Sequence, residues 1–110
     1  MKAFRCALVC LAGAVMGAGA LVAQKGAGDA AKGKEVYEQC AVCHSADTDE
    51  KKMGPSLKGL FKKAKMTNGK KPTDATVGVK IDEGGNGMPA YKDILSADER
   101  KNLMAYLKTL

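Results

Sequence analysis

Two cysteines and a histidine lie within five consecutive residues, Cys40-Ala41-Val42-Cys43-His44. C-x-x-C-H is the pattern through which a chain attaches a c-type haem covalently. On a helix, Cys40 and Cys43 share a face, so their thiols can reach the two vinyl groups along one haem edge. His44 then lies one turn after Cys40 and is predicted to be the proximal ligand of the haem iron.

The C-x-x-C part of this motif also occurs in thiol oxidoreductases and in zinc sites. A thioredoxin-like motif is expected within a βαβ pattern, and no alternating apolar strand runs flank Cys40. A four-ligand zinc site would need two carboxylates, because His44 is the only histidine and Cys6 and Cys10 lie in a segment expected to be removed. Haem attachment is the preferred interpretation, and a thiol oxidoreductase that uses Cys40 and Cys43 stays open as an alternative.

A second segment, residues 84–91, has the sequence GGNGMPAY. Its three glycines and Asn86 permit positive φ angles, so the loop can turn tightly and approach a flat cofactor, and Pro89 stiffens its exit. The thioether of Met88 is a soft ligand suited to low-spin haem iron, although a methionine can also simply fill a gap in a core. We predict that Met88 binds the iron on the face opposite His44.

The first 23 residues have the pattern of a secretory signal peptide. Lys2 and Arg5 precede an uncharged run, 6–23, that is rich in Gly, Ala, Leu and Val, and polar sequence begins at Gln24. An uncleaved membrane anchor is the alternative, but the abundance of Ala and Gly makes the run only weakly apolar. We expect cleavage near Leu21 or Gln24, no stable membrane anchor, and export to the bacterial periplasm or the outside of the cytoplasmic membrane.

Residues 24–110 are expected to form one domain of 87 residues and to be monomeric. The domain has no Trp and four aromatic residues, so its core is thin, and a covalent, largely apolar macrocycle would supply the centre of that core. We therefore expect the chain without its cofactor to be poorly folded.

The spacing of apolar residues predicts helices joined by loops. The first helix begins after the N-cap Asp29 and continues into the C-x-x-C-H motif. A short helix covers 73–83, with Val77 and Ile81 on one face, and ends at Gly84, whereas 45–72 is mostly loop. The last helix begins at the capping box Ser96-Ala97-Asp98-Glu99, and its apolar face is expected to meet the first helix at Gly33 and Tyr37; that face contains Leu103, Tyr106, Leu107 and Leu110.

Residues 51–71, called the lysine stretch below, contain eight lysines and no Asp or Glu. Removal of the first 23 residues leaves 16 basic and 12 acidic side chains, a net charge of +4, so the stretch is twice as positive as the whole mature chain. A solvated loop is one interpretation. Near a haem edge, the same charges could steer an acidic redox partner. Nucleic acid is not an expected partner of an exported chain with one aromatic residue, Phe61, in its basic stretch.

The order and spacing of these motifs resemble those of small bacterial monohaem cytochromes c, in the class I family that includes mitochondrial cytochrome c. The resemblance covers nearly all of 29–110 and rests on Gly33-x-x-x-Tyr37 before the C-x-x-C-H motif, Gly54-Pro55-Ser56-Leu57-Lys58-Gly59-Leu60, Gly87-Met88-Pro89-Ala90-Tyr91 and Leu103-x-x-Tyr106-Leu107. It implies an all-α cytochrome c fold: the N- and C-terminal helices cross, and short middle helices and loops wrap around one covalent haem c.

The resemblance also implies site residues. It assigns Met88 as the distal iron ligand and the carbonyl of Pro55 as acceptor for the Nδ1 proton of His44, a bond that would fix the tautomer and raise the basicity of the imidazole. The family usually has a Trp or another large group near the haem propionates, whereas this chain has no Trp. The candidates for propionate contacts are Asn68, Lys70 and Tyr91.

Axial ligation by both His44 and Met88 would leave no iron position open for O2, peroxide or substrate. The expected function is therefore one-electron transfer between a donor and an acceptor redox protein, without catalysis. If Met88 does not bind iron, the alternative is a five-coordinate haem protein that binds gas or reduces peroxide. A permanent haem subunit of a larger redox complex is a further alternative within electron transfer.

Overall fold

The computed structural model describes residues 28–110 and contains three α-helices and one short 3-10 helix. The elements are α1 (Ala30–Tyr37), the 3-10 helix (Leu60–Lys62), α2 (Asp74–Glu83) and α3 (Ala97–Leu107). This range contains no β-strand, only an isolated bridge between Gly85 and Met88, so the predicted all-α class is confirmed. The predicted signal peptide, 1–23, and the predicted start of the mature domain at residue 24 lie outside the described residues.

Each of the three α-helices begins at a side-chain cap. The carboxylate of Asp29 accepts from two amides of the first turn of α1, at 2.9 and 3.2 Å. The predicted capping box of α3 is confirmed, because Ser96 Oγ accepts from the Glu99 amide at 3.1 Å and Glu99 Oε1 accepts from the Ser96 amide at 3.0 Å. Thr73 and Thr76 form an equivalent box at α2, which the usual Ser/Thr-x-x-Glu/Gln signature does not include.

The C-terminal end of α1 differs from the sequence prediction. The helix ends at Tyr37 instead of continuing through the C-x-x-C-H motif. The carbonyl of Tyr37 accepts from the amides of Cys40, at 2.7 Å, and Ala41, at 3.0 Å. The first of these is a three-residue bond, which tightens the chain into turns where a regular helix would use four-residue bonds.

Helices α1 and α3 pack closely against each other, as the sequence predicts. A Cβ on Gly33 would overlap the backbone carbonyl of Asn102 in α3, so only a glycine permits this approach. The rings of Tyr37 and Tyr106 lie beside this crossing with centroids 5.2 Å apart and planes tilted by 50°. The Asn102 side chain also accepts from the Asp29 amide at 2.8 Å, which ties the start of α1 to α3.

The hydrophobic core is small, and all the helices contribute to it. Its buried apolar residues are Tyr37, Leu60, Val77, Ile81, Leu103, Met104 and Leu107. The predicted pair Val77 and Ile81 forms the buried face of α2. Leu60 lies in the 3-10 helix, within a span that the sequence predicts to be mostly loop. None of the helices between residues 28 and 110 has the length and apolar character required to cross a membrane.

Candidate functional site

The C-x-x-C-H motif forms a single hydrogen-bonded turn after α1. The Cys40 carbonyl accepts from the amides of Cys43, at 3.1 Å, and His44, at 2.9 Å. Both cysteines are free thiols and half-buried. Burial, followed by the charge of the Cys43 thiolate, raises the pKa of Cys40. A reactive thiol needs a lowered pKa, so this environment disfavours the thiol oxidoreductase interpretation.

Two consecutive residues, Gly54 and Pro55, lie against the imidazole of His44. Its Nδ1 lies 2.7 Å from the carbonyl oxygen of Pro55, the acceptor that the family resemblance implies. The Gly54 amide donates to the Cys43 carbonyl at 2.8 Å, and a Cβ on Gly54 would overlap the imidazole ring. With Nδ1 as the donor, Nε2 has a lone pair available for a metal. The sequence motif includes Gly54, but this contact with the ring becomes visible only in the fold.

Tyr37 connects the helix crossing to the C-x-x-C-H turn. Its hydroxyl donates to the backbone carbonyl of His44 at 3.0 Å. Burial, followed by the charge of Tyr106, raises the pKa of Tyr37 to about 12, so the phenol stays protonated and able to donate. The sequence predicts only a packing role for Tyr37, because helical periodicity does not show which group the phenol hydroxyl bonds to.

The segment 84–91 forms the tight loop that its composition predicts. Four consecutive residues, 84–87, have positive φ angles of 63°, 116°, 53° and 90°. The Gly85 amide donates to the Met88 carbonyl at 2.9 Å, and the Met88 amide donates to the Gly85 carbonyl at 3.1 Å. Met88 itself is half-buried and packs against the hydrophobic core. The loop therefore directs a thioether towards the core, where Cys40 also packs.

The end of this loop is bonded to α2 and packs against the same core as Cys40. The Tyr91 amide donates to the Ile81 carbonyl at 2.9 Å, which fixes the chain after Met88 to α2. Burial, followed by the charges of Cys40 and Cys43, raises the pKa of Tyr91. The two motifs, which begin more than 40 residues apart in the sequence, both pack against the hydrophobic core.

The eight lysine side chains of the lysine stretch are all exposed, and none of them forms an ion pair with another described residue. Lys52 Nζ donates to the Ala41 carbonyl at 3.2 Å, so one end of the stretch lies beside the C-x-x-C-H turn. Two exposed apolar side chains, Val42 and Met53, are 73% and 84% accessible in the same region of the sequence. This surface combines positive charge with apolar contacts next to the cysteines.

The structure brings together two of the three candidates for propionate contacts. Asn68 and Lys70 line an open groove of about 270 Å³ along α2, together with Val79 and Lys80. Tyr91 does not line this groove. Asn68 Oδ1 accepts from the Lys70 amide at 3.0 Å, which shapes the turn before α2.

Comparison with known proteins identifies relatives over the described domain. A model of the cytochrome c family matches residues 30–110. A cytochrome c2 from Blastochloris viridis is 54% identical over 43 residues, which are 38% of this chain and 34% of that protein. A cytochrome c6 from Leptolyngbya boryana is 34% identical over 80 residues, which are 72% of this chain and 89% of that protein.

The fold is also similar to that of a solved structure. The cytochrome c6 of the diatom Phaeodactylum tricornutum superposes with a TM-score of 0.58 at 26% sequence identity, covering 74% of this chain and 93% of the diatom protein. The match to the cytochrome c2 spans about a third of that relative, whereas both cytochromes c6 are matched over most of their length.

Proposed function

Because the chain belongs to the cytochrome c family, we propose that it transfers single electrons between redox proteins through a six-coordinate haem c with His44 and Met88 as axial ligands. Family membership implies one covalently attached haem c and an electron carrier rather than an enzyme. The main support for His44 as a ligand is the 2.7 Å contact between its Nδ1 and the Pro55 carbonyl, which would leave the Nε2 lone pair available for the iron.

The donor groups of the site agree with the chemistry of haem c. Cys40 and Cys43 offer two free thiols on one turn for the two thioether bonds. His44 offers an imidazole whose Nδ1 is bonded to the Pro55 carbonyl and whose Nε2 is available for the iron. Met88 offers a thioether at the core. When bound, the haem supplies an iron that alternates between the ferrous and ferric states.

The residues of the chain would restrict that iron to electron transfer. His44 and Met88 would fill both axial positions, which leaves no place for O2 or peroxide. Pro55 would keep the His44 proton on Nδ1, and Gly54, which has no Cβ, would leave room for the imidazole beside its backbone. The apolar core behind Met88 would exclude water and thereby disfavour the additional positive charge of the ferric state.

Absorbance spectra of the exported protein, oxidised and reduced, with and without carbon monoxide, test this proposal. We expect a c-type haem spectrum whose reduced form does not change on mixing with carbon monoxide. Rapid binding of carbon monoxide would instead establish the five-coordinate alternative. Two titratable thiols without haem absorbance would establish a thiol oxidoreductase.

We also propose that the mature protein is a periplasmic monomer that meets its donor and acceptor through the lysine stretch. Residues 1–23 would act as a cleaved signal peptide, and 24–110 would form the mature domain. The unpaired lysines next to the C-x-x-C-H turn would attract an acidic surface on either partner, and the contact would be small and short-lived.

Neutralising part of the lysine stretch should slow electron transfer at low ionic strength. A triple Gln variant of Lys51, Lys58 and Lys62 should react with an acidic redox partner about tenfold more slowly, because steering by local charge is lost. The matched control removes three exposed lysines that lie outside the stretch and do not line the cleft beside the C-x-x-C-H turn, Lys32, Lys92 and Lys101. Stopped-flow rates across a salt series provide the measurement. Equal slowing of both triple variants would show that net charge, not this surface, controls the encounter.

A further inference from the structure

Arg100 in α3 forms a two-pronged ion pair with Asp82 in the last turn of α2. Arg100 Nε lies 2.8 Å from Asp82 Oδ1, and Nη2 lies 2.8 Å from Oδ2. The two side chains are 39% and 26% exposed, so water screens the pair only in part. Parallel N–H···O bonds of this kind fix orientation as well as distance, which a lysine cannot do.

The backbone of α2 leaves a space for this guanidinium. Gly78 lies one turn before Asp82 and is buried, and a Cβ at this position would overlap Arg100 Nη2. A glycine inside a helix costs about 1 kcal/mol relative to alanine. The position of Arg100 over Gly78 gives this glycine a structural role, because any side chain here would displace the guanidinium from its present place.

Asp82 also contacts the loop that contains Met88. The Lys92 amide donates to the Asp82 carbonyl at 3.3 Å, next to the bond from the Tyr91 amide to the Ile81 carbonyl at 2.9 Å. The chain three and four residues after Met88 is thus bonded to the same turn of α2 whose carboxylate Arg100 holds. On the other side of the loop, Lys80 Nζ donates to the carbonyls at 84 and 85, at 3.2 and 3.4 Å.

We infer that Arg100, acting through Asp82, is a positioning residue for the Met88 loop: it fixes the last turn of α2 to α3 and thereby keeps the loop closed over the iron. This inference rests on the proposed ligation by Met88. Dissociation of the thioether requires the loop to open locally, and the free energy of that opening includes the contacts that hold both ends of the loop. Loss of the ion pair between Arg100 and Asp82 therefore raises the fraction of molecules in which the Met88 loop is open.

The chain contains a matched control for this inference. Lys108, the residue directly after α3, forms a second ion pair with Asp74 at the beginning of α2, also at 2.8 Å. Loss of this pair weakens contact between the same two helices without touching the turn that bears the Met88 loop. Comparison of the two pairs separates positioning of the loop from general stability.

The test uses the ferric holoprotein and measures how fast excess imidazole replaces the sixth ligand. We expect Arg100→Gln to accelerate replacement about fivefold to tenfold, with Arg100→Lys intermediate and Lys108→Gln within twofold of wild type. Gly78→Ala should also accelerate replacement, because it keeps both charges but displaces the guanidinium. Denaturant unfolding of each variant reports whether global stability accounts for the differences.

Two contrary results have different meanings. If the far-red absorbance band of the iron–thioether bond is present in wild type, but Arg100→Gln and Lys108→Gln change the replacement rate equally, the positioning role is wrong and the proposed ligation stands. If wild type lacks that band and binds carbon monoxide rapidly when reduced, ligation by Met88 is wrong, and the positioning role falls with it.

Discussion

Reduced Met88→Ala protein should bind carbon monoxide readily, whereas the reduced wild type should not. Alanine offers no ligand, so the sixth position of the iron would be open in every molecule instead of only during rare openings of the loop. The apparent affinity and rate for an external ligand scale with the fraction of open molecules, so we expect an increase on the order of a hundredfold or more. Stopped-flow absorbance after mixing with carbon monoxide measures the effect.

Two methionines provide controls for this substitution. Met53 is 84% exposed, so Met53→Ala should change neither carbon monoxide binding nor stability. Met104 is a buried core residue of α3, so Met104→Ala should lower the free energy of unfolding by about 2–5 kcal/mol through the cavity that it leaves. Neither control should open the iron site. Carbon monoxide binding that is unchanged in Met88→Ala would mean that Met88 is not the ligand.

The parts of the fold that the sequence predicts are those specified by neighbouring residues. The N-cap Asp29 and the Ser96 and Glu99 capping box depend on groups two or three residues apart, and both are confirmed. The tight loop before Met88 follows in the same way from glycines and Asn86, which tolerate positive φ angles. These features need no knowledge of the rest of the chain.

The end of α1 at Tyr37 was not predicted because the turn hydrogen bonds after Tyr37 are as local as those of a continuing helix. The other features that were missed depend on contacts between distant residues. The Asp82–Arg100 pair joins residues 18 positions apart on two helices, and nothing in either local sequence marks them as partners. The contact of Gly54 with the His44 ring likewise exists only after the loop folds back.

The candidate site shows the same division. The type and spacing of Cys40, Cys43 and His44 indicate the cofactor, and the composition around Met88 indicates a ligand loop. What holds those groups in place is a set of backbone acceptors, among them the Pro55 carbonyl. Such acceptors are present at every residue, so composition cannot single them out, and the family resemblance was the source of that assignment.

Gly33→Ala should destabilise the protein strongly, although helix propensity alone favours the substitution by about 1 kcal/mol. The new Cβ would overlap the Asn102 carbonyl, which is backbone and cannot rotate away. Helices α1 and α3 would have to separate, which weakens the contact between Tyr37 and Tyr106. We expect the free energy of unfolding of the holoprotein, measured with denaturant, to fall by about 3 kcal/mol.

The reverse substitution on the exposed face of the same helix is the matched control. Ala31 is exposed, so Ala31→Gly should cost only the propensity difference of about 1 kcal/mol. Opposite chemical changes at two positions of α1 would then both destabilise, and the change that adds a methyl group would be the more harmful one. That outcome requires a close helix crossing at Gly33, because a solvent-exposed position would gain stability from alanine. A measured gain in Gly33→Ala would contradict the tight packing of α1 on α3.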